Sequence, residues 1–429
     1  GDVFKNHFMY MQVVIGYFLG YFVVAFVLLP LYYRLNLTSI YSYLQNRFGV
    51  AAYKTGASFF LLSRTLGASI RIYLVLMVLQ HSVLDAMQIP FALTVMVILF
   101  MILLYTFNGG VKTIVWTDML QTTGMILALI ITIYLIAHEL NFSFAELLQA
   151  IHAEGFTQTF QIDNWKADNF FLKQIIGGAF VTIAMTGLDQ EMMQKNLSCR
   201  NLKDAQKNMY SFTTILVVVN FLFLILGGAL YVFANQKGVE LPMKEGKVVT
   251  DHVFPTMALG SFGTIAGVFF LLGITASSYA SADSALAALT TGFCVDFLNF
   301  YKRDEKQKKR LQLIVHIVFS MLFLLIILGT EVYISNNPGS DLIGTILKIA
   351  SYTYGPLLGL FTVGIFTKRQ IRDKFSLIVC VLAPILCLFL ANNSEKMLNG
   401  YKFGYELLIV NGILTYLGLW IISMGLHKK

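Results

Sequence analysis

The sequence predicts an all-α protein that crosses a membrane many times. Of its 429 residues, 57% are hydrophobic and 13% are charged, and the mean hydropathy is +0.70. Soluble domains carry about 25% charged residues, so this composition excludes an ordinary soluble fold. The apolar residues form long continuous runs, whereas an outer-membrane barrel would show short alternating strands. A polytopic bundle of transmembrane helices is therefore the predicted fold class.

About eleven apolar runs are long enough to span a bilayer, which takes roughly 20 mostly apolar residues. The predicted spans cover residues 9–33, 52–84, 90–107, 112–138, 170–193, 207–234, 261–295, 311–333, 341–366, 374–392 and 403–425. Together they predict a single transmembrane domain over residues 1–429, without a separate soluble domain.

Loop charges predict the orientation of these spans. One set of alternate loops, including residues 302–310 and 368–374, holds about 20 of the lysines and arginines. Positive loops face the cytoplasm, so the chain is expected to start outside and to end in the cytoplasm of a bacterial-type inner (plasma) membrane. An outside start without a signal peptide also predicts that N-terminal helices are missing from this chain.

The composition excludes several classes of function. The net charge of +8 lies in the loops of a membrane protein, so it does not indicate nucleic-acid binding. The cysteines and histidines lack the spacing of a disulfide framework or a metal site. The stretch "GGVKT" at residues 109–113 lacks the full P-loop pattern. An enzyme is not predicted, and any pumping must be driven by a gradient.

Three basic residues lie well inside predicted spans, away from their ends, where an unpaired charge costs at least a few kcal/mol. Arg64 and Arg71 share one helix face because they are separated by two helical turns. Lys348 lies roughly 10 Å inside its span, near the limit that snorkelling relieves. We expect Arg71 and Lys348 to face a cavity or a partner. A buried salt bridge or a carbonyl contact is the structural alternative for each residue.

The span at 261–295 carries oxygens where lipid makes them costly. Its segment "ITASSYASADSALAALTTGFCVDF" places Ser277, Ser281 and Ser284 at positions i, i+4 and i+7, which is one helical face. Such a stripe has two explanations. Small residues allow helices to pack closely while the hydroxyls bond to their own backbone, or the hydroxyls bind an ion.

Four stretches carry a resemblance to a known family. They are "LTSIYSYLQNRFG" (37–49), "FNGGVKTIVWTDMLQ" (107–121), "GLDQEMMQKNLSCRNLKDA" (187–205) and "YASADSALAALTTGFCVDF" (279–297). In order and content they resemble the sodium:solute symporter family, which contains sodium-coupled sugar, proline, sialic acid and iodide carriers. The third stretch has Lys195 in place of the family's usual arginine. The resemblance covers nearly the whole chain.

The resemblance implies a LeuT-type fold, in which two five-helix units are related by an inverted pseudo-two-fold axis. Residues 9–138 would be the first unit without its first helix, residues 170–366 the second unit, and residues 374–425 additional C-terminal helices. The first helix of each unit is broken at the bilayer midplane. In the second unit, the break is expected at Gly177 and Gly178.

The resemblance also implies a sodium site on the serine helix. The family uses a carbonyl and two hydroxyls of this helix, which fall here on Ser277, Ala280 and Ser281. Ala280 departs from the pattern because it replaces a hydroxyl by a methyl group, and sodium prefers a full shell of hard oxygens. Water, Ser278 or Ser284 could supply the missing oxygen, or the site could be weaker.

Some family members have a second sodium position that uses the aspartate of the second stretch together with the same serines. That aspartate is Asp118 here, and it offers a formal charge where the serines offer only dipoles. A hydrogen bond to a neighbouring helix end is the structural alternative for Asp118.

Three positions are implied in substrate binding. Lys348 and Thr182 fall where sugar-transporting relatives have a binding glutamine and a binding asparagine, respectively. The sialic-acid branch holds its substrate's carboxylate with an arginine from the helix that contains Arg71. A cation in place of a neutral amide implies an acidic sugar or another organic anion as the solute.

The predicted function is a secondary symporter that imports a small polar solute with sodium by alternating access. Its partners would be the solute, the sodium ion as coupling ion and the lipid bilayer, with no nucleic acid. Ala280 favours, as an alternative, a proton-coupled or uncoupled carrier of the same fold. A transporter-like membrane sensor is a second alternative.

Overall fold

The computed structural model describes the backbone of residues 2–35, 39–244, 247–260, 263–337 and 342–424. Side chains within these ranges are described except at residues 105–117, 244, 247, 251, 263–266, 268, 269, 271, 272, 274–281, 342 and 343.

The described chain is almost entirely helical. Its α-helices are α1 (Asp2–Asn6), α2 (Tyr10–Val23), α3 (Leu29–Leu35), α4 (Ser42–Arg47), α5 (Val50–Leu79), α6 (Phe91–Glu139), α7 (Phe144–Ala153), α8 (Phe171–Thr182), α9 (Gln190–Leu197), α10 (Leu202–Lys237), α11 (Thr250–Gly260), α12 (Gly263–Phe297), α13 (Glu305–Asn336), α14 (Leu342–Phe366), α15 (Ser376–Met397) and α16 (Leu407–Ser423).

Short elements join these helices. One-turn π- or 3₁₀-segments lie at Val24–Leu28, Gln80–Leu84, Asp85–Met87, Ile183–Gly187, Phe300–Lys302 and Asp373–Phe375. A small hairpin of β1 (Met243–Lys244) and β2 (Lys247–Val248) pairs antiparallel between α10 and α11.

The prediction of a multi-pass membrane protein is confirmed. In the described residues, 7 helices are long and apolar enough to cross a membrane, and a bent pair, Phe171–Gly187 with Gln190–Leu197, would raise the number to 8. Two shorter apolar helices, Phe91–Leu104 and Leu407–Ser423, correspond to further predicted spans, and α12 corresponds to the span at 261–295.

The break in the bent pair does not lie where the glycine pair predicted it. Gly177 and Gly178 lie inside α8, which continues through them, and Gly178 packs directly against the backbone of Val13 in α2. The glycines serve close helix packing, because a side chain at Gly178 would overlap that backbone. The chain instead breaks at Leu188 and Asp189, where the two halves meet at 68°.

Tyrosine hydroxyls stabilise this break. Tyr32 donates to the Gly187 carbonyl at 2.8 Å, and Tyr41 donates to the Leu188 carbonyl at 2.8 Å. The Asp189 side chain accepts from a backbone N–H in the first turn of α9. Unpaired backbone groups cost several kcal/mol inside a bilayer, so these bonds allow the helix to break there.

Candidate functional site

A large cavity lies on the side of the protein that carries the long acidic loops. It has a volume of about 1780 Å³ and is lined by loop residues such as Asp168 and Val249, and by Tyr73, Glu331 and Lys348 on the helices. Tyr73 of α5 donates to Glu331 of α13 at 2.8 Å across its wall. Small-molecule pockets are usually about 300–1,000 Å³, so this cavity admits a sugar-sized solute. We call it the outer cavity because it lies on the predicted outer side.

Lys348, one of the predicted substrate-binding residues, projects into this outer cavity. Its side chain is exposed on α14 and belongs to the cavity lining. No carboxylate in the described part of the chain lies within ion-pair distance of its ammonium group. Lys348 is therefore a cation of the cavity lining without an ion-pair partner among the described residues.

Arg71 and Thr182 lie elsewhere. Arg71 lines a separate small cavity of about 10 Å³, beside Tyr354 and Met185, and its Nε donates to the Gly67 carbonyl at 3.1 Å on its own helix. Thr182 lines neither cavity, because it is buried against α2. The structure thus places Lys348 and Arg71 along the same pair of helices, α5 and α14, but does not bring Thr182 to them.

Arg64 forms a buried salt bridge, which is the structural alternative that the sequence left open for this residue. Its guanidinium pairs with Glu191 of α9 and lies 4.0 Å from a carboxylate oxygen of Asp189. Tyr354 of α14 donates to the same Asp189 oxygen at 2.7 Å. This network ties three helices together below the outer cavity, and it holds the inner half of the broken helix to the core.

A second polar cluster joins Asp118 and Ser284, two of the predicted sodium ligands. Lys195 of α9 lies between them, with its Nζ 3.2 Å from Asp118 Oδ2 and 3.2 Å from Ser284 Oγ. The same Nζ is 3.6 Å from Glu191 Oε1. The two polar clusters therefore meet at Glu191.

Ser277, Ser278 and Ser281 lie outside the described side chains, as does Ala280. Their backbone belongs to α12. Ser284 on the same helix is described and contacts Lys195.

Sequence reasoning did not single out Asp189, Glu191 or Tyr354, and it marked Lys195 only as a departure from the family's usual arginine. The first two carboxylates lie inside the predicted span at 170–193. Like Arg71, they are charged residues inside a predicted span, and such a charge is costly unless it is paired. This feature of the sequence could have identified them.

The side opposite the cavity, which is the predicted inner side, is closed by contacts at both ends of α4. At its start, Tyr41 bonds to the broken helix, and at its end Arg47 donates to the Thr367 carbonyl at 2.8 Å and the Arg369 carbonyl at 2.7 Å. Asp373 accepts from the first backbone N–H groups of α5. With the cavity on the opposite side, the described chain is open on one side and closed on the other.

Comparisons with known proteins agree with this architecture. The sodium/sialic acid symporter NanT of Aliivibrio fischeri is 24% identical over 400 residues, which are 92% of this chain and 76% of that protein. The sodium/sialic acid symporter SiaT of Proteus mirabilis is 24% identical over 411 residues, with 91% and 77% of the two chains covered.

A solved structure gives the fold. The substrate-bound, outward-open state of a sodium-coupled sialic acid symporter superposes with a TM-score of 0.79 at 18% identity, covering 97% of this chain and 84% of that one. The predicted LeuT-type fold is confirmed by this likeness. The model of the sodium:solute symporter family matches residues 1–373. The chain therefore belongs to the sodium:solute symporter family.

Proposed function

We propose that the protein imports a small solute carrying a carboxylate, together with sodium, by alternating access. The observation that carries the proposal is the ammonium group of Lys348, which projects into the outer cavity without a carboxylate partner among the described residues. A fixed positive charge attracts an anion and forms a charge-assisted hydrogen bond with it. The relatives named for sialic acid support an acidic sugar as the solute.

The transport cycle follows from the two sides of the protein. Sodium from outside favours the outward-open state, the solute then closes the outer cavity, and both leave after the inner side opens. The inner half of the broken helix, α9, carries Glu191 and Lys195, so its movement makes or breaks their ion pairs with Arg64 and Asp118.

The proposed sodium ligands are those that the resemblance implies. Ser277 and Ser281 would hold the coupling ion, with Ser278 or Ser284 completing the oxygen shell beside Ala280. Asp118 lies beside Ser284 through their common contact, Lys195.

The proposed topology follows the loop charges and the inverted repeat. Residues 9–138 and 170–366 form the two units of a single transmembrane domain, and residues 374–425 are additional helices. The protein lies in a bacterial-type inner membrane, with its first residues outside and its C-terminal end in the cytoplasm.

Uptake into proteoliposomes tests this function directly. A panel of labelled solutes should include sialic acid, a neutral sugar and a monocarboxylate, each measured with an inward sodium gradient and with choline in its place. We expect concentrative uptake of a carboxylated solute in sodium only. Equal uptake in sodium and choline, or uptake of the neutral sugar alone, would contradict the proposal.

Replacing Lys348 by glutamine should weaken binding of the carboxylated solute by about 1.5–3 kcal/mol, or roughly 10- to 150-fold, because one charge-assisted hydrogen bond is lost. The measurement is the dissociation constant from competition with the labelled solute. Lys402→Gln is the matched control, since Lys402 lines the same cavity but pairs with Glu395 at 3.5 Å. An equal loss in both variants would mean that Lys348 acts only through the general field of the cavity.

Asp283 favours a second candidate, a proton-coupled carrier. Its side chain is 1% exposed, and its Oδ2 has no hydrogen-bond partner within the described part of the structure. A buried carboxylate oxygen can be satisfied by a cation or by a proton. This candidate predicts uptake driven by an inward proton gradient in sodium-free buffer, and loss of that uptake in Asp283→Asn. Strict sodium dependence at constant pH would eliminate it.

A further inference from the structure

Lys195 occupies a site made of hard oxygens from three helices. Its ammonium contacts the Asp118 carboxylate of α6 at 3.2 Å, the Ser284 hydroxyl of α12 at 3.2 Å and the Glu191 carboxylate of α9 at 3.6 Å. Carboxylate and hydroxyl oxygens are also the ligands that bind hard metal cations. The oxygens around Lys195 could therefore serve a small monovalent ion equally well.

The oxygens of this site exceed what one ammonium group satisfies. Asp118 Oδ1 and Asp283 Oδ2 are buried and have no hydrogen-bond partner in the described part of the chain. Asp283 precedes Ser284 and accepts the Ser284 backbone N–H with its other oxygen at 2.6 Å. It interacts electrostatically with Asp118, Glu191 and Lys195. Burying an acceptor oxygen without a hydrogen-bond partner costs free energy. A bound cation would remove that cost.

Charge balance assigns Lys195 to Asp118. The buried cation of the neighbouring cluster, Arg64, is already paired with Glu191 and lies near Asp189. Lys195 is therefore the cation that compensates Asp118 in the described structure. Its side chain is 35% exposed, so the ammonium is not sealed inside the helix bundle.

We infer that the Lys195 ammonium is a tethered cation that occupies the oxygens of Asp118 and Ser284 in place of an ion from solution. The inference rests on the proposed sodium coupling for its role in transport. Because the ammonium belongs to the protein, this second sodium position that the resemblance implies contributes no transported ion, and the coupling ion is left to Ser277, Ser281 and Ser278. Removing the charge of Lys195 would create an additional sodium site, with Asp118 and Ser284 as its ligands and the buried carboxylate of Asp283 adding negative charge nearby.

Sodium binding to the purified protein tests the inference. Isothermal titration should show one more bound sodium ion per chain in Lys195→Ala than in the wild type. Thermal unfolding should show that sodium, but not choline, stabilises Lys195→Ala more than the wild type, because the ion replaces the lost counter-charge. Lys195→Arg keeps the charge and should bind the wild-type number of ions. The exposed Lys203→Ala is the matched control for removing a lysine nearby.

The double variant Lys195→Ala/Asp118→Asn should lose both the additional ion and the additional stabilisation, since the carboxylate is gone. The inference is overturned if Lys195→Ala binds the same number of sodium ions as the wild type. It is also overturned if Lys195→Ala folds no better in sodium than in choline while the double variant folds. Failure of the proposed function looks different: the wild type would then show no sodium-dependent uptake, whereas Lys195→Ala would still gain a sodium ion.

Discussion

Replacing Arg64 by methionine is expected to destabilise the protein by about 3–5 kcal/mol, because it breaks a buried ion pair and leaves one partner without a counter-charge. The Arg64 and Glu191 side chains are each 6% exposed, and Asp189 is 0% exposed. Asp189 retains the hydrogen bond from Tyr354 and the backbone N–H that it caps. Among the ion pairs of the described residues, Glu191 retains the more distant one with Lys195, so most of the loss falls on Glu191.

Thermal unfolding of the detergent-solubilised protein measures this effect. The double variant Arg64→Met/Glu191→Gln removes the stranded charge and should recover most of the stability, because neutral groups often replace a buried ion pair at little cost. Arg310→Met is the matched control, since Arg310 is an exposed residue on α13. If the double variant is as unstable as Arg64→Met, packing of the Arg64 side chain rather than its charge holds the helices together.

Most of the fold could be predicted from the sequence because the bilayer imposes a simple requirement. Each span must be apolar over roughly 20 residues, and this requirement alone marked the positions of helices such as α5, α10 and α13. The predicted position of the break between α8 and α9 was wrong for a physical reason. Its position depends on which side chains satisfy the freed carbonyls, and the donors, Tyr32 and Tyr41, are distant in sequence.

The candidate site was predicted less completely. The sequence marks Arg64, Asp118 and Lys348 as notable charges inside spans, but helix packing decides which of them find partners. Among the described residues, Arg64 has an ion-pair partner and Lys348 does not, although an unpaired charge is costly in lipid at either position. The partner of Asp118 is Lys195, and no local spacing relates the two residues because they lie on different helices.

Replacing Arg47 by alanine is expected to shift the equilibrium from the outward-open towards the inward-open state by about 3 kcal/mol, or roughly 150-fold. Its guanidinium donates to the Gly364 carbonyl at 3.3 Å, the Thr367 carbonyl at 2.8 Å and the Arg369 carbonyl at 2.7 Å. The Gly364 carbonyl lies in the last turn of α14 and the other two lie just after it, where the helix dipole also favours a cation. We expect inward opening to separate α4 from this end, so the lost bonds destabilise the outward-open state alone.

A cysteine at position 345 would report this shift, because Thr345 lines the outer cavity. Its reaction with a membrane-impermeant thiol reagent added outside should slow in Arg47→Ala in sodium-free buffer. Added sodium should restore the rate, because it favours the outward-open state. Three native cysteines are buried, and Cys199 lies on the predicted cytoplasmic side. These four residues should therefore react little with the reagent. Arg34→Ala, which removes an exposed arginine from the same side, should react like the parent. An unchanged rate in Arg47→Ala would show that the bonds of Arg47 persist in both states and that Tyr41 and Asp373 close the inner side without it.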